Sequence, residues 1–452
     1  MRYRGISRIM EGLRRGVVGM EAKRGQGLST RNVIGILALF CTMSEFAILT
    51  PSIAAFSHHF VGTDITTIMF ANSITGIVSV PVSVLSGAIL HRVGFKPMAI
   101  LGILVMSLGG AFPFLMPDIT DYTLVIVSRV IVGIGLGVMF PVGNATIIAL
   151  FEGEKRSRLL GLGITIQFLF NLIYTTVAGY LTEIGWNYSF LAYLIGLVPL
   201  VVALAWMPEA KGVVAEGRER ERVERSSVTK EKIPHAIWGY ALFALATWTC
   251  VVTVQIITST ILDVRGLASS GQAALVINCC GVGTILCGLA FPTLVRVFKT
   301  RLFGIGAALA AIGVVPCMLA DNTIVYAIGV FVLGFGGSMF FTAAQNATGN
   351  IAPKSRVPFV SGIMTSMMNL GPFIAPYLFA ATVAANPAEG NDAVFPVLIA
   401  ICSVCAVVGL VHPMRALVAK PAEEALGEEM PFCGDGAGTG APSDAAGAGE
   451  DR

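Results

Sequence analysis

Long apolar runs separated by short polar punctuation dominate this chain of 452 residues. A helix needs about 20 residues to cross a hydrocarbon layer of about 30 Å. Twelve runs of that kind are predicted, over about 33–56, 65–90, 98–117, 121–149, 158–181, 188–207, 235–262, 270–296, 302–320, 323–350, 357–384 and 393–414. The apolar positions are continuous and lack the period-two alternation of barrel strands, so the runs read as transmembrane helices. A polar stretch at 208–234 divides them into two sets of six. The predicted fold is an all-α membrane protein: twelve transmembrane helices in two six-helix bundles, at 33–207 and 235–414. A basic segment (1–32) precedes them, a linker (208–234) joins them, and a Gly/Ala-rich acidic tail (415–452) that is expected to be disordered follows.

Composition agrees with this pattern. The chain is 55% hydrophobic and 13% charged, as expected for a polytopic membrane protein. Charge sets the orientation, because cytoplasmic loops retain Lys and Arg. Placing the N-terminus inside puts 28 of the 30 Lys and Arg residues on one side; the exceptions are Arg265 in an outer loop and Arg129 within span four. Both termini are therefore expected in the cytoplasm, in a multi-pass protein of the cytoplasmic membrane. The basic N-terminal segment lacks an apolar core and a cleavage site, so no removable signal peptide is expected, and it suits anionic membrane lipid. Eight of the nine cysteines lie in or beside spans, where a thiol packs like alanine, and imply neither a disulfide framework nor a metal site.

The two halves repeat. Span four contains GIGLGVMFPVGNAT from Gly133 to Thr146, and span ten contains GFGGSMFFTAAQNAT from Gly334 to Thr348. With one inserted residue, the glycines, Met-Phe and Asn-Ala-Thr coincide, and each stretch leads into a basic loop with Ser-Arg (Ser157-Arg158, Ser355-Arg356). Three further features join these. GAILHRVGFKP follows span two, RVIVGIG lies in span four, and a Pro208-Glu209 ending follows span six. Together they make the region from about 33 to 414 resemble the major facilitator superfamily of secondary transporters. The resemblance identifies Gly87, His91, Arg92, Gly94 and Lys96 as the conformational loop motif. His91 stands where the family places an acid, and Phe95 replaces a basic residue. It also implies that spans one, four, seven and ten line a central cavity.

Ionisable residues inside spans are costly and point to function. Glu45 is the one acid among 27, and Arg129 the one base, that the sequence places deep in a span, at depths that let them approach. Glu45 is therefore the candidate proton-coupling carboxyl, and Arg129 its partner or an anchor for an anionic substrate. A structural tie is the competing reading of the pair. Gln167, Asn171 and Tyr174 share one face of span five, and Trp248, Gln255, Gln345 and Asn369 extend the candidate substrate-binding set. The small-residue stripe Asn72, Gly76, Ser79, Ser83 and Ser86 in span two reads as a packing seam.

An enzyme is not expected. Gly133-x-Gly135-x-Gly137 lies inside a helix without a strand or Lys, which is a packing pattern and not a nucleotide loop, and the histidines lie at span ends. No cofactor, metal or nucleic acid is expected. The expected protein is a monomeric secondary active transporter that moves a small-molecule substrate by alternating access with a proton or other coupling ion. The alternatives are a drug or metabolite exporter of the antiporter type and a non-transporting membrane sensor on the same fold. Span five lacks the proline of drug antiporters, whereas Gly371-Pro372 occurs in span eleven. The charge pattern predicts that trypsin cuts within 211–230 in inside-out vesicles and leaves two associated six-helix fragments. Cleavage only from the opposite face reverses the orientation.

Overall fold

A computed structural model describes residues 29–151, 153–209, 234–351 and 357–412. The basic segment up to 28, the linker from 210 to 233 and the tail from 413 lie outside the described residues. Eleven stretches are long and apolar enough to cross a membrane. One of them, Ser270–Leu319, comprises two helices, Ser270–Phe298 and Leu302–Leu319, joined by a single 3-10 turn at Lys299–Arg301, which makes twelve candidate crossings among the described residues. The predicted bounds agree closely: span two is Ile65–Val93, span four Thr123–Leu150, span five Gly153–Ile184, span seven His235–Val264, span ten Thr323–Ile351 and span eleven Val357–Ala385.

Span one departs from the expected continuous helix. It runs as an α-helix over Thr30–Thr42, a 3-10 helix over Glu45–Ser52 and a short α-helix over Ile53–His59. Pro51 supplies no N–H and disfavours helical geometry at Thr50. Irregular backbone at membrane depth requires protein cover. Here the Pro51 carbonyl accepts from Ser259 Oγ at 2.7 Å, and Thr50 Oγ1 accepts from Asn72 Nδ2 at 3.1 Å. Span six is likewise partly 3-10, over Trp186–Gly196, before Leu197–Trp206.

The glycines of span four work as packing surfaces, as read from the sequence. A Cβ at Gly133 would meet the Thr75 carbonyl of span two at 2.8 Å, and one at Gly137 would meet the Ser79 carbonyl at 2.7 Å. Gly135 turns the other way, onto Met106 and Gly102 of span three (Phe95–Ala111). Span ten repeats the arrangement, with Gly334 on Cys280 of span eight and Gly336 on Ala310 and Gly306 of span nine. In both halves a glycine-rich helix is thus clasped between two neighbours at backbone distance. Arg265, on the side remote from the termini, donates to the carbonyls of Cys317, Met318 and Ala320 at the end of span nine and to Asp392 at 2.9 Å before span twelve.

The two bundles meet in the half of the molecule remote from the termini. Ser259 Oγ reaches across to span one. Ser73 of span two donates to the Pro372 carbonyl of span eleven, and Asn278 of span eight donates to Leu172 O and Thr176 Oγ1 of span five at 3.1 and 2.7 Å. At the rim, His58 and Asp263 lie 2.6 Å apart, and Glu183 accepts from Ser269 Oγ and Gly271 N at the start of span eight. Among the described residues, these bonds join the bundles on the far side. Bridging cysteines introduced at His58 and Asp263 with a bifunctional thiol reagent is therefore expected to reduce solute flux at least tenfold, with recovery when the bridge is cleaved. Undiminished flux in the bridged protein shows that the far side need not open.

Candidate functional site

The far-side contacts end near mid-membrane, and the candidate binding residues lie in a layer just below them. Trp248 lies near the middle of span seven, with Gly371 of span eleven against its ring edge and Phe341 of span ten at 5.5 Å between ring centroids. Gly371 precedes Pro372, whose carbonyl takes the closing bond from Ser73, so this aromatic pair sits directly beneath the closed seam. From the other bundle, span five brings Gln167 and Asn171, both half-buried. Ser44 Oγ ties span one to span five through the Gln167 carbonyl at 2.8 Å. Gln255 is half-buried and donates Nε2 to Cys280 Sγ at 3.0 Å. Gln345 lies one turn nearer the termini than Phe341 and is exposed. Asn369 lies in the helix of span eleven, and its side chain is outside the described residues.

Tyr174 shares the face of Gln167 and Asn171 on the continuous helix of span five but is covered there. It is 0% exposed, because the 3-10 segment of span one lies over the far-side half of span five and covers it. Its hydroxyl lies 3.5 Å from Glu45 Oε1. Helical periodicity keeps Tyr174 on one face with Gln167 and Asn171, and the broken segment of span one covers its end of that face.

Glu45 begins that broken segment and is itself 0% exposed. Oε1 accepts from Ser107 Oγ of span three and from Tyr174, each at 3.5 Å, while Oε2 is buried without a hydrogen-bond partner. Gly196, at the end of the 3-10 part of span six, makes the space: a Cβ there would collide with Oε1 and Ser107 Oγ. Ser107 and Gly196 are absent from the candidate set read from the sequence. Their only signal is small size deep in a span, which ordinary helix packing also produces.

Arg129 is also 0% exposed. It donates to the Ala71 carbonyl of span two at 3.3 Å and to Tyr193 Oη of span six, with the guanidinium 5.6 Å from the Tyr193 ring centroid. Tyr193 and Gly196 lie one turn apart, so the same stretch of span six backs both ionisable residues. Neither faces the central layer, contrary to the placement that the resemblance implies.

In the loop motif, Gly94 has φ +97°, a region closed to residues with a Cβ, and ends span two with its N–H on the Leu90 carbonyl. Lys96 is half-buried in the first turn of span three, Gly87 faces open space, and the side chains of His91 and Arg92 lie outside the described residues.

A family model described as Major Facilitator Superfamily matches residues 35–376 and 260–432. The chain is 22% identical over 392 residues to a probable galactarate/D-glucarate transporter of Bacillus subtilis (strain 168), covering 76% of this chain and 83% of that one. The Escherichia coli (strain K12) protein of the same description is 21% identical over 390 residues, covering 74% and 82%. Among solved structures, the inward-open xylose transporter from E. coli superposes with a TM-score of 0.65 at 15% identity, over 87% of this chain and 98% of that one. A D-xylose-proton symporter gives 0.65 at 16% identity, over 85% and 98%. With its twelve candidate crossings, its repeated glycine-rich fourth and tenth spans and a family match over most of its length, the chain belongs to the Major Facilitator Superfamily of secondary transporters.

Proposed function

We propose that this protein moves a small organic solute across the cytoplasmic membrane by alternating access, and that Glu45 takes up and releases the coupling proton. One observation carries the coupling role. Glu45 is a wholly buried carboxyl on a broken segment, held by two hydroxyls through one oxygen, with its other oxygen lacking a donor. A charged carboxylate leaves that oxygen uncompensated, whereas the neutral acid carries its own O–H there. The site as built suits the acid form, and loss of the proton favours a different packing of Glu45–Ser52. That segment touches both bundles, through Asn72 and Thr182 on one side and Ser259 on the other. A change at Glu45 therefore bears on the seam that must open. Tyr174 links the carboxyl to span five, two turns from Gln167, so a solute at Gln167 and Asn171 acts on the helix that holds the carboxyl. With both termini in the cytoplasm, the joined side of the bundles faces outward.

The names of the relatives support solute transport, and that of the xylose-proton symporter supports proton coupling within this fold. The geometry favours Arg129 as a structural tie between spans two, four and six.

Glu45→Gln is expected to insert and fold, to keep solute exchange, and to lose at least tenfold of proton-driven accumulation in proteoliposomes. Accumulation with the wild-type dependence on the proton gradient removes Glu45 from coupling. Gly196→Ala forces a methyl against the carboxyl and Ser107, so a stability loss of about 1–3 kcal/mol is expected in thermal unfolding. A melting temperature equal to wild type shows that the carboxyl has room to move. Arg129→Ala is expected to cost about 3–5 kcal/mol, the scale for breaking a buried charged network. Unchanged stability with lost solute affinity instead restores a binding role for Arg129.

A further inference from the structure

Among the described residues, those on the inner helix faces at mid-membrane carry no formal charge. The two ionisable residues that the sequence places deep in spans, Glu45 and Arg129, are both 0% exposed and packed behind the layer, against Tyr174 and Ser107 and against Tyr193 and Ala71. Among the described residues, the polar and aromatic side chains on the inner helix faces include Gln167 and Asn171, in register with Tyr174 under span one, and Trp248 and Gln255, in register with Ser259 against span one, with Phe341 beside Trp248. The curated relatives are described as transporters of galactarate and glucarate, which are dianions. A dianion entering this layer gives up its water to walls that offer no cation, and an uncompensated charge in such a place is strongly disfavoured.

We infer that the transported solute of this chain is uncharged: a hydroxyl- or amide-bearing molecule with one apolar face. This rests on the transporter reading above and names its substrate class. Side-chain amides suit such a solute because each offers both a donor and an acceptor, and so meets hydroxyls and amides without demanding charge. Gln255 spends a donor on Cys280, which leaves its oxygen to accept from the solute. Trp248 and Phe341, tilted by 43° and steadied by Gly371, give a broad apolar shelf for the face of a ring or short chain. The shelf and Gln255 come from one bundle and Gln167 and Asn171 from the other, so a solute between them is held by both.

The test uses the purified full chain and matched probes that differ in charge: galactarate with galactitol, D-glucarate with D-sorbitol, gluconate with D-glucose, and benzoate with benzamide. Ligands that bind the native state raise its melting temperature. Stabilisation is expected from neutral members only, with affinity for the best of them falling at least tenfold in Trp248→Ala. Gln167→Arg is expected to create galactarate binding where wild type has none. An anionic member that binds wild type more tightly than its neutral counterpart overturns the inference, as does silence from every neutral member. A Gln167→Arg protein that folds yet does not bind galactarate also overturns it. The transporter reading fails separately: if a neutral ligand binds but spin labels at residues 58 and 263 never separate, the solute class stands and alternating access does not.

Discussion

The break in span one is held because Ser259 of span seven takes over hydrogen bonds to its backbone and its own side chains anchor it to neighbouring spans. Inside a membrane no water is available to satisfy loose backbone groups. Ser259 holds the Pro51 carbonyl and the Ala54 N–H, Ser44 reaches the Gln167 carbonyl, and the side chains of Thr50 and Ser52 bond Asn72 and Thr182. These bonds fix the segment against both bundles, and Glu45 opens it. The placement of the buried carboxyl, the burial of Tyr174 and the joining of spans one and seven all follow from satisfying one interrupted stretch of backbone.

Much of the architecture was legible from the sequence because the bilayer imposes a length and an apolar composition on every span. The repeat of Gly133–Thr146 in Gly334–Thr348 was legible for a similar reason, since close helix contact requires small residues at fixed spacing. The break was not read, although Thr50-Pro51 signalled it, because the segment around it is apolar enough to pass for helix. Tyr174 shows a second limit. Periodicity tells which residues share a face of span five but not what lies over that face, and here span one covers half of it.

The candidate site was legible in part for the same reasons. The solitary positions of Glu45 and Arg129 drew attention to them because ionisable groups are rare in spans, and both are buried at the heart of the first bundle. Their partners were hidden, since Ser107, Tyr193 and Gly196 are ordinary residues of membrane helices until the chain folds. Charge can be located in a sequence, whereas the cage that surrounds it depends on contacts between distant spans.

The chemistry of the far-side seam bears on its energetics. Its interior bonds, Ser259 to Pro51, Ser73 to Pro372 and Asn278 to Leu172, join neutral hydroxyls and amides to carbonyls, whereas the ionisable pair His58 and Asp263 stands at the exposed rim. A neutral hydrogen bond contributes about 1 kcal/mol net, and parting it separates no charges in a medium of low dielectric. Ionic strength therefore reaches the rim and hardly touches the interior. The resistance of the seam to opening comes in small, separable increments, which lets modest differences in ligand affinity set how often each face of the membrane is served.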